Sequence, residues 1–111
     1  VEIGSHSRTH PDFGSLEARY LTDELSGARK IIAERLGFAP TSFAIPLGQS
    51  MNWTAAAATA AREAGYEIIY AQAEETRPDD TVPRTFVTHF DDPRVFRALL
   101  DGVFDRWEEW V

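Results

Sequence analysis

The sequence predicts an α/β fold in which helices cover a largely parallel sheet. Short apolar runs typical of buried strands alternate with longer segments whose apolar residues recur at helical spacing. The predicted order is β-α-β-α-β-β-α, and this alternation favours crossover units with parallel strands. The chain has 111 residues and is 43% hydrophobic, which suits a single domain with its own core.

The first half of the chain contains two predicted strands and one helix. Residues 1–5 form a brief β-tolerant run, and residues 41–46 read as a buried strand that ends at Pro46. Between them, five apolar residues at steps of three and four share one helical face: Leu21, Leu25, Ala28, Ile32 and Leu36. Thr22 is the expected N-cap of this helix, and Gly37 is its expected C-terminal stop.

An alanine-rich helix is predicted over residues 53–65. Asn52 is its expected N-cap and Gly65 its closing residue. The run of alanines lets the helix approach a sheet closely. A strand over residues 66–71 follows at once, so this half of the chain continues the alternation.

The last part of the sequence begins with a loop over residues 74–83 and a strand over residues 84–90. A final amphipathic helix is expected from Pro93, with Asp91 or Asp92 as its N-cap. Its apolar face comprises Phe96, Leu99, Leu100, Val103, Trp107 and Trp110. Packing in the core is the expected role of both tryptophans.

Three or four parallel strands leave open sheet edges unless another segment covers them. The chain starts without an initiator methionine, directly on a strand-like run. We therefore expect a processed chain or a piece of a larger domain, whose sheet is completed by an N-terminal segment or by another subunit in a homo-oligomer.

The composition restricts the partners and the chemistry. The formal net charge is −7, and the eleven Lys and Arg are scattered, which disfavours nucleic acid and anionic membrane as partners. No apolar run approaches the roughly 20 residues of a membrane span. The sequence contains no cysteine, so a metal site has to use histidine and carboxylate.

Two histidines four residues apart, His6 and His10, follow the first predicted strand. Pro11 disfavours the right-handed α region at His10, so the pair is expected on a loop and not on a helix. Such a loop lies beyond the carboxyl end of a parallel strand, where ligands bind in α/β sheets. Two neutral imidazoles suit zinc or a similar divalent ion completed by a carboxylate and water. A surface or loop-capping pair is the equally weighted alternative.

Four segments in order resemble the polysaccharide deacetylase family, also called the NodB-homology domain or carbohydrate esterase family 4. They are EIGSHSRTHPDF, LTDEL, FAIPLGQSMNWTAAAATAAREAGYEIIYA and VPRTFV. The resemblance joins a His-x-x-x-His-Pro loop to a Pro-x-Gly strand end and a Gly-Tyr strand start. It covers nearly the whole chain and identifies residues 1–111 as the C-terminal portion of such a domain.

The resemblance implies a partial distorted (β/α) barrel and a metal-dependent hydrolase that removes acetyl groups from N- or O-acetylated oligo- or polysaccharide. By resemblance, His6 and His10 become ligands of a divalent metal, most simply zinc. Leu47, which follows the motif proline, becomes the backbone N–H donor to the developing oxyanion. Pro46, Gly48 and Trp53 become substrate-binding residues, although Trp53 also suits an aromatic core.

The sequence departs from the family pattern in three respects. No Asp-Asp strand motif, the source of the general base and third metal ligand, precedes Val1. The third motif lacks its base-orienting arginine, and the late Leu-x-His motif is not evident. His89 is a candidate general acid, with a half-buried strand residue as the simpler alternative. Asp91 and Asp92 are a candidate replacement for the lost motif, or simply a helix start.

These departures leave other functions open. The 111 residues alone are expected to bind zinc weakly and to lack deacetylase activity. The alternative is a non-catalytic module of the same fold that binds glycan or a partner protein, and the simplest alternative is an α/β domain whose histidines bind nothing. Asp12 could approach the metal, but a carboxylate that caps the next turn is the favoured interpretation.

Overall fold

The computed structural model describes residues 2–84 together with residues 93, 94 and 97. Its sheet has three parallel strands in the order β1 (Ser42–Ala44), β2 (Ile68–Gln72) and β3 (Val82–Arg84). Helix α1 (Ala28–Leu36) precedes β1, and helix α2 (Ala55–Ala64) precedes β2. The α/β fold with parallel strands is therefore confirmed.

The segment before the helices reaches the free edge of β1 through one residue. Ser5 donates its N–H to the Ser42 carbonyl and accepts the N–H of Ala44, both at 2.9 Å, and it forms a parallel bridge opposite Phe43. Residues 2–4 make no strand. The strand predicted over residues 1–5 is thus shortened, within the described residues, to a single bridge.

The first helical region is less regular than predicted. It starts with a 3₁₀ turn over Ala18–Tyr20 and continues through a π-helical segment over Asp23–Gly27 into α1. Thr22 already has helical dihedral angles and makes no side-chain cap, so its prediction as the N-cap is wrong. Gly37 ends α1 with φ 81° and donates to the Ala33 carbonyl, as predicted.

The buried face of this region is shorter than predicted. Leu21, Leu25 and Ala28 are buried, but Leu36 is 51% exposed. Within α1, eight residues of regular helix turn a side chain by about 80° beyond two full turns. Leu36 ends α1 eight residues after buried Ala28, so the prediction that it continues the core face is wrong.

Helix α2 begins two residues later than predicted. Thr54 is its N-cap, since it has an extended backbone and its Oγ1 accepts the Ala57 N–H at 3.1 Å. Gly65 closes the helix with φ 107°, as predicted.

The predicted cap Asn52 lies instead in a 3₁₀ turn over Ser50–Asn52. Its side-chain oxygen accepts the Gln49 N–H at 3.1 Å, and its amide nitrogen donates to Asp12 at 3.1 Å. Because both ends of the amide are used in these bonds, Asn52 is not available to α2.

Strand β3 begins at Val82, inside the predicted loop, and pairs with β2 through Tyr70↔Val82 and Gln72↔Arg84. Pro83 is tolerated because, in the described sheet, this strand is an edge. The rest of the predicted strand and the apolar face of the final helix lie outside the described residues. Residues 93, 94 and 97 are helical, in agreement with a helix starting at Pro93.

An aromatic cluster between the sheet and the helices forms the centre of the core. The Phe43 ring of β1 lies 5.1 to 5.9 Å from the rings of Phe13, Trp53 and Tyr66. Small alanines of α2, Ala57 and Ala61, are fully buried against it, which is what lets the helix approach the sheet. Burial of each large apolar side chain stabilises the fold by about 1.5–3 kcal/mol.

No helix in residues 2–84 or at residues 93, 94 and 97 has the length and hydropathy needed to cross a bilayer.

Candidate active site

Three chain segments end at one edge of the sheet. His6 follows the bridge residue Ser5, the turn over residues 45–48 follows β1, and Arg84 ends β3. All of these strands run parallel, so their carboxyl ends meet at this edge. In α/β folds this is the edge at which ligands bind.

The two histidines lie side by side on the first of these segments. The centroids of the His6 and His10 rings are 4.8 Å apart and their planes meet at 70°. His6 Nδ1 lies 2.8 Å from the Ala44 carbonyl oxygen. A carbonyl only accepts, so Nδ1 carries the proton and Nε2 of the neutral ring keeps a lone pair.

The surroundings of His6 favour its neutral form. Partial burial lowers the pKa of His6, and the positive charges of Arg84 and His10 lower it further, while the Ala44 carbonyl acts in the opposite direction. A neutral imidazole with a fixed tautomer is the form that binds a metal ion.

The loop that carries the histidines has an unusual backbone. Ser7 and His10 both lie in the left-handed region, with φ 69° and 60°, and the His10 N–H donates to Ser7 Oγ at 3.0 Å. The prediction that His10 avoids the right-handed α region before Pro11 is confirmed. Left-handed non-glycine residues cost about 1 kcal/mol or more each, so other contacts have to hold this loop.

The donor set fits part of a zinc site. Two imidazoles are ligands that zinc prefers, and catalytic zinc sites use three protein ligands. Within the described residues, no three His, Asp or Glu side chains stand together as a metal-binding group. Asp12 does not join the two histidines in such a group, and its Oδ1 instead accepts from the Gly14 N–H at 2.8 Å and from Asn52 at 3.1 Å. The favoured turn-capping role of Asp12 is what the structure contains.

The turn after β1 presents a backbone N–H at the same edge. Leu47 and Gly48 are both left-handed, with φ 68° and 83°, and the Leu47 side chain is 54% exposed. In the described part of the chain, the Leu47 N–H has no hydrogen-bond acceptor. The Gly48 carbonyl accepts the Gln72 N–H at 2.7 Å, which ties the turn to the end of β2.

Arg84 is a site residue that the sequence did not identify. Its Nη2 donates to the Ile45 carbonyl at 2.6 Å and lies 2.7 Å from where a Cβ on Gly48 would sit. Burial lowers the pKa of Arg84, although the guanidinium stays charged. This arginine lies in the VPRTFV segment that resembles the family. Its contact with the turn follows from the pairing of Gln72 with Arg84, which places Arg84 at the end of the sheet where the turn lies.

An open groove of about 390 Å³ runs along this face of the sheet, lined by His6, Ala44, Tyr70 and Arg84 among others. These residues come from four adjacent segments of the sheet, and they place one imidazole and one guanidinium on the same wall. The groove is therefore a polar, solvent-accessible space next to the paired histidines.

Comparison with known proteins assigns the family. A family model described as polysaccharide deacetylase matches residues 1–69. The chain belongs to the polysaccharide deacetylase family. Members of this family are hydrolases that remove acetyl groups from carbohydrates. A search of curated proteins found no significant sequence match.

The fold of this deacetylase-family chain is also found in a solved structure. The chain is similar in structure to the Streptococcus pyogenes deacetylase PplD in complex with acetate, with a TM-score of 0.70 and 15% sequence identity. The match covers 86% of this chain and 43% of that one, so the chain spans less than half the length of that deacetylase. This likeness confirms the fold and makes a partial α/β barrel the appropriate description.

The remaining site residues predicted for the family member lie in different environments. Pro46 is fully buried under the turn, and Trp53 is only 8% exposed, packed against Phe13 and stacked on Phe43. The position of Trp53 agrees with the core alternative. His89, Asp91 and Asp92 lie outside the described residues.

Proposed function

We propose that this chain contributes the paired metal ligands and the oxyanion donor of a metal-dependent hydrolase that removes acetyl groups from N- or O-acetylated polysaccharide. The observation that supports this most directly is the side-by-side placement of His6 and His10 at the carboxyl edge of a parallel sheet, the edge from which the Leu47 turn also departs. The membership of the chain in the polysaccharide deacetylase family points to the same chemistry.

In this proposal His6 and His10 hold one divalent cation, with zinc the best match to two imidazoles. When bound, that cation polarises the acetyl carbonyl and lowers the pKa of a water molecule. The His6 bond to Ala44 fixes which ring nitrogen can face the cation. A carboxylate from outside residues 2–84 supplies the third ligand and the general base, and His89 remains the proposed general acid.

The Leu47 N–H is the proposed donor to the negative charge that develops on the acetyl oxygen. A donor that is fixed before the reaction stabilises this charge without reorganisation. One such bond typically increases kcat by a factor of about 10²–10³. Arg84 supports the donor indirectly, because it holds the Ile45 carbonyl two residues before Leu47. Pro46 and Gly48 shape the turn that an acetylated sugar would approach.

A zinc titration followed by NMR tests the proposal. In the 111-residue chain, both imidazoles should shift together as zinc is added, with weak affinity, because they share one ion. The chain alone should not deacetylate an acetylated oligosaccharide, whereas a chain extended at its N-terminus by an Asp-Asp strand should do so. His10→Ala should abolish both the zinc response and that turnover.

The control is Lys30→Ala, at an exposed position of α1 away from the site. Shifts of one ring alone, or turnover that survives His10→Ala, would contradict the proposal. The chain would then be better described as a glycan-binding or interaction module of the same fold.

A further inference from the structure

We infer that Glu24 is a positioning residue that holds the His loop, residues 6–10, in the conformation in which its two imidazoles lie side by side. The inference rests on the proposed function, since it concerns the loop that is proposed to hold the metal. Nothing in the sequence motifs assigns a role to Glu24, which lies on a helical segment 14 residues after His10.

Glu24 directs both carboxylate oxygens to the middle of the His loop. Its Oε2 accepts the backbone N–H groups of Arg8 at 3.1 Å and Thr9 at 2.9 Å, and its Oε1 accepts the Thr9 hydroxyl. The residue is only 5% exposed. A carboxylate this buried needs several donors, and here three of them come from Arg8 and Thr9, two of the three residues between the histidines.

These bonds offset the backbone cost of the loop. Ser7 and His10, which flank the bonded residues, are both left-handed, and that conformation is unfavourable for residues other than glycine. Without an acceptor for the Arg8 and Thr9 N–H groups, the loop could relax to an ordinary extended backbone. The two rings would then separate, because His6 is held from the other side by Ala44.

Glu24 reaches the loop from the π-helical segment over Asp23–Gly27. Glu24 and Leu25 are adjacent, yet both are buried, the first against the His loop and the second in the core. The Leu25 carbonyl accepts the hydroxyl of Tyr66 at 2.9 Å, which satisfies a carbonyl of this irregular turn. π-turns occur frequently at functional sites, and this one combines a core contact with a loop contact.

Asp23 provides a natural contrast to Glu24. It forms an ion pair with the side chain of Arg8 at 2.9 Å, but the two side chains are 58% and 49% exposed. Exposed pairs of this kind are screened by water and contribute little. Asp23 and Glu24 therefore touch the same loop, and only Glu24 does so through buried bonds to the backbone.

The test compares Glu24→Gln with the control Asp23→Asn in the 111-residue chain. Glutamine keeps the size, but its NH₂ group faces donors where a carboxylate oxygen accepted, so at least one of the three bonds is lost. The measurements are the zinc dissociation constant and, in the metal-free protein, amide hydrogen exchange at Arg8 and Thr9. Glu24→Gln should weaken zinc binding at least tenfold and accelerate exchange at both amides, while Asp23→Asn should change either quantity less than twofold.

Thr9→Val provides a second variant that does not disturb a buried residue. It removes only the hydroxyl donor to Oε1 and should weaken zinc binding two- to fivefold. If Glu24→Gln fails to fold, this variant decides the question.

The outcomes separate the inference from the proposed function. Unchanged zinc affinity and amide exchange in Glu24→Gln, or in Thr9→Val where the first variant does not fold, would overturn the role of Glu24 and leave the metal site standing. A wild-type chain that binds no zinc would overturn the proposed function, while faster Arg8 and Thr9 exchange in the variant would still support Glu24 as the residue that holds the loop.

Discussion

The ring of His6 donates from Nδ1 to the backbone carbonyl of Ala44 at 2.8 Å, across 38 positions of sequence. This bond joins the loop that carries the paired histidines to the end of β1, from which the Leu47 turn departs. The bond therefore fixes the loop proposed to bind the metal relative to the turn proposed to bind the oxyanion.

The first prediction distinguishes the roles of the two ring nitrogens of His6. An asparagine side chain can place its amide nitrogen near the position of Nδ1, so His6→Asn should keep the donor to Ala44 and lose the nitrogen proposed for the metal. We expect zinc affinity to fall at least 100-fold while the free energy of unfolding changes by less than about 1 kcal/mol. Calorimetric titration with zinc and urea denaturation measure the two quantities. A variant that binds zinc normally would remove His6 from the ligand set.

The second prediction concerns the hydroxyl of Tyr66. Tyr66→Phe removes the hydroxyl that donates to the Leu25 carbonyl at 2.9 Å, while that carbonyl keeps the Ala28 N–H as a second donor. The free energy of unfolding should fall by about 0.5–1.5 kcal/mol, the net contribution of one hydrogen bond. Urea denaturation measures it, with Tyr20→Phe as the matched control because Tyr20 is exposed. Equal stability of both variants would contradict the importance of the bond.

The third prediction is a loss of stability in alkali. Burial raises the pKa of Tyr66 above its ordinary value of 10, with a nearby Ser5 hydroxyl and Arg29 acting in the opposite direction. Above pH 10 the unfolded chain loses this proton while the folded chain keeps it, so the free energy of unfolding falls as the pH rises through this window. Below pH 10 this contribution is fully present. Denaturation from pH 9 to 11 should show a shallower decline in Tyr66→Phe than in the wild type.

The fourth prediction uses two glycines with the same backbone angle. Gly48 and Gly37 have φ 83° and 81°, but a Cβ at Gly48 would lie 2.7 Å from Arg84 Nη2, whereas a Cβ at Gly37 meets nothing within 4 Å. Gly37→Ala should therefore cost only the left-handed strain, about 1 kcal/mol, and Gly48→Ala should cost about 1–3 kcal/mol. Thermal or urea denaturation measures both. An equal loss of stability in the two variants would mean that Arg84 does not restrict the space at Gly48.

The sequence was most informative where structure depends on neighbouring residues. Gly37 and Gly65 end their helices as predicted, since a left-handed C-terminal position favours glycine wherever it occurs. Pro11 likewise keeps His10 out of the right-handed α region. The placement of the histidines at the carboxyl edge followed from the parallel arrangement of strands.

Predictions failed where distant residues decide the outcome. Asn52 and Thr54 are both good N-cap residues, and α2 uses Thr54 because Asp12 and Gln49 take up the amide of Asn52. The helix predicted from Thr22 contains a π-helical segment whose Leu25 carbonyl is satisfied by Tyr66, 41 positions away. The contact of Arg84 with the turn depends on strand register, which local sequence does not encode.

The irregular turn over Asp23–Gly27 gives up regular helix geometry where Glu24 contacts the His loop. Removing one residue from it would allow an unbroken α-helix, which is intrinsically the more favourable conformation for these residues. The same deletion would rotate Glu24 away from Arg8 and Thr9 and withdraw the Leu25 carbonyl from Tyr66. The helix would become shorter and more regular, but the buried contacts that join it to the loop with the paired imidazoles would be lost.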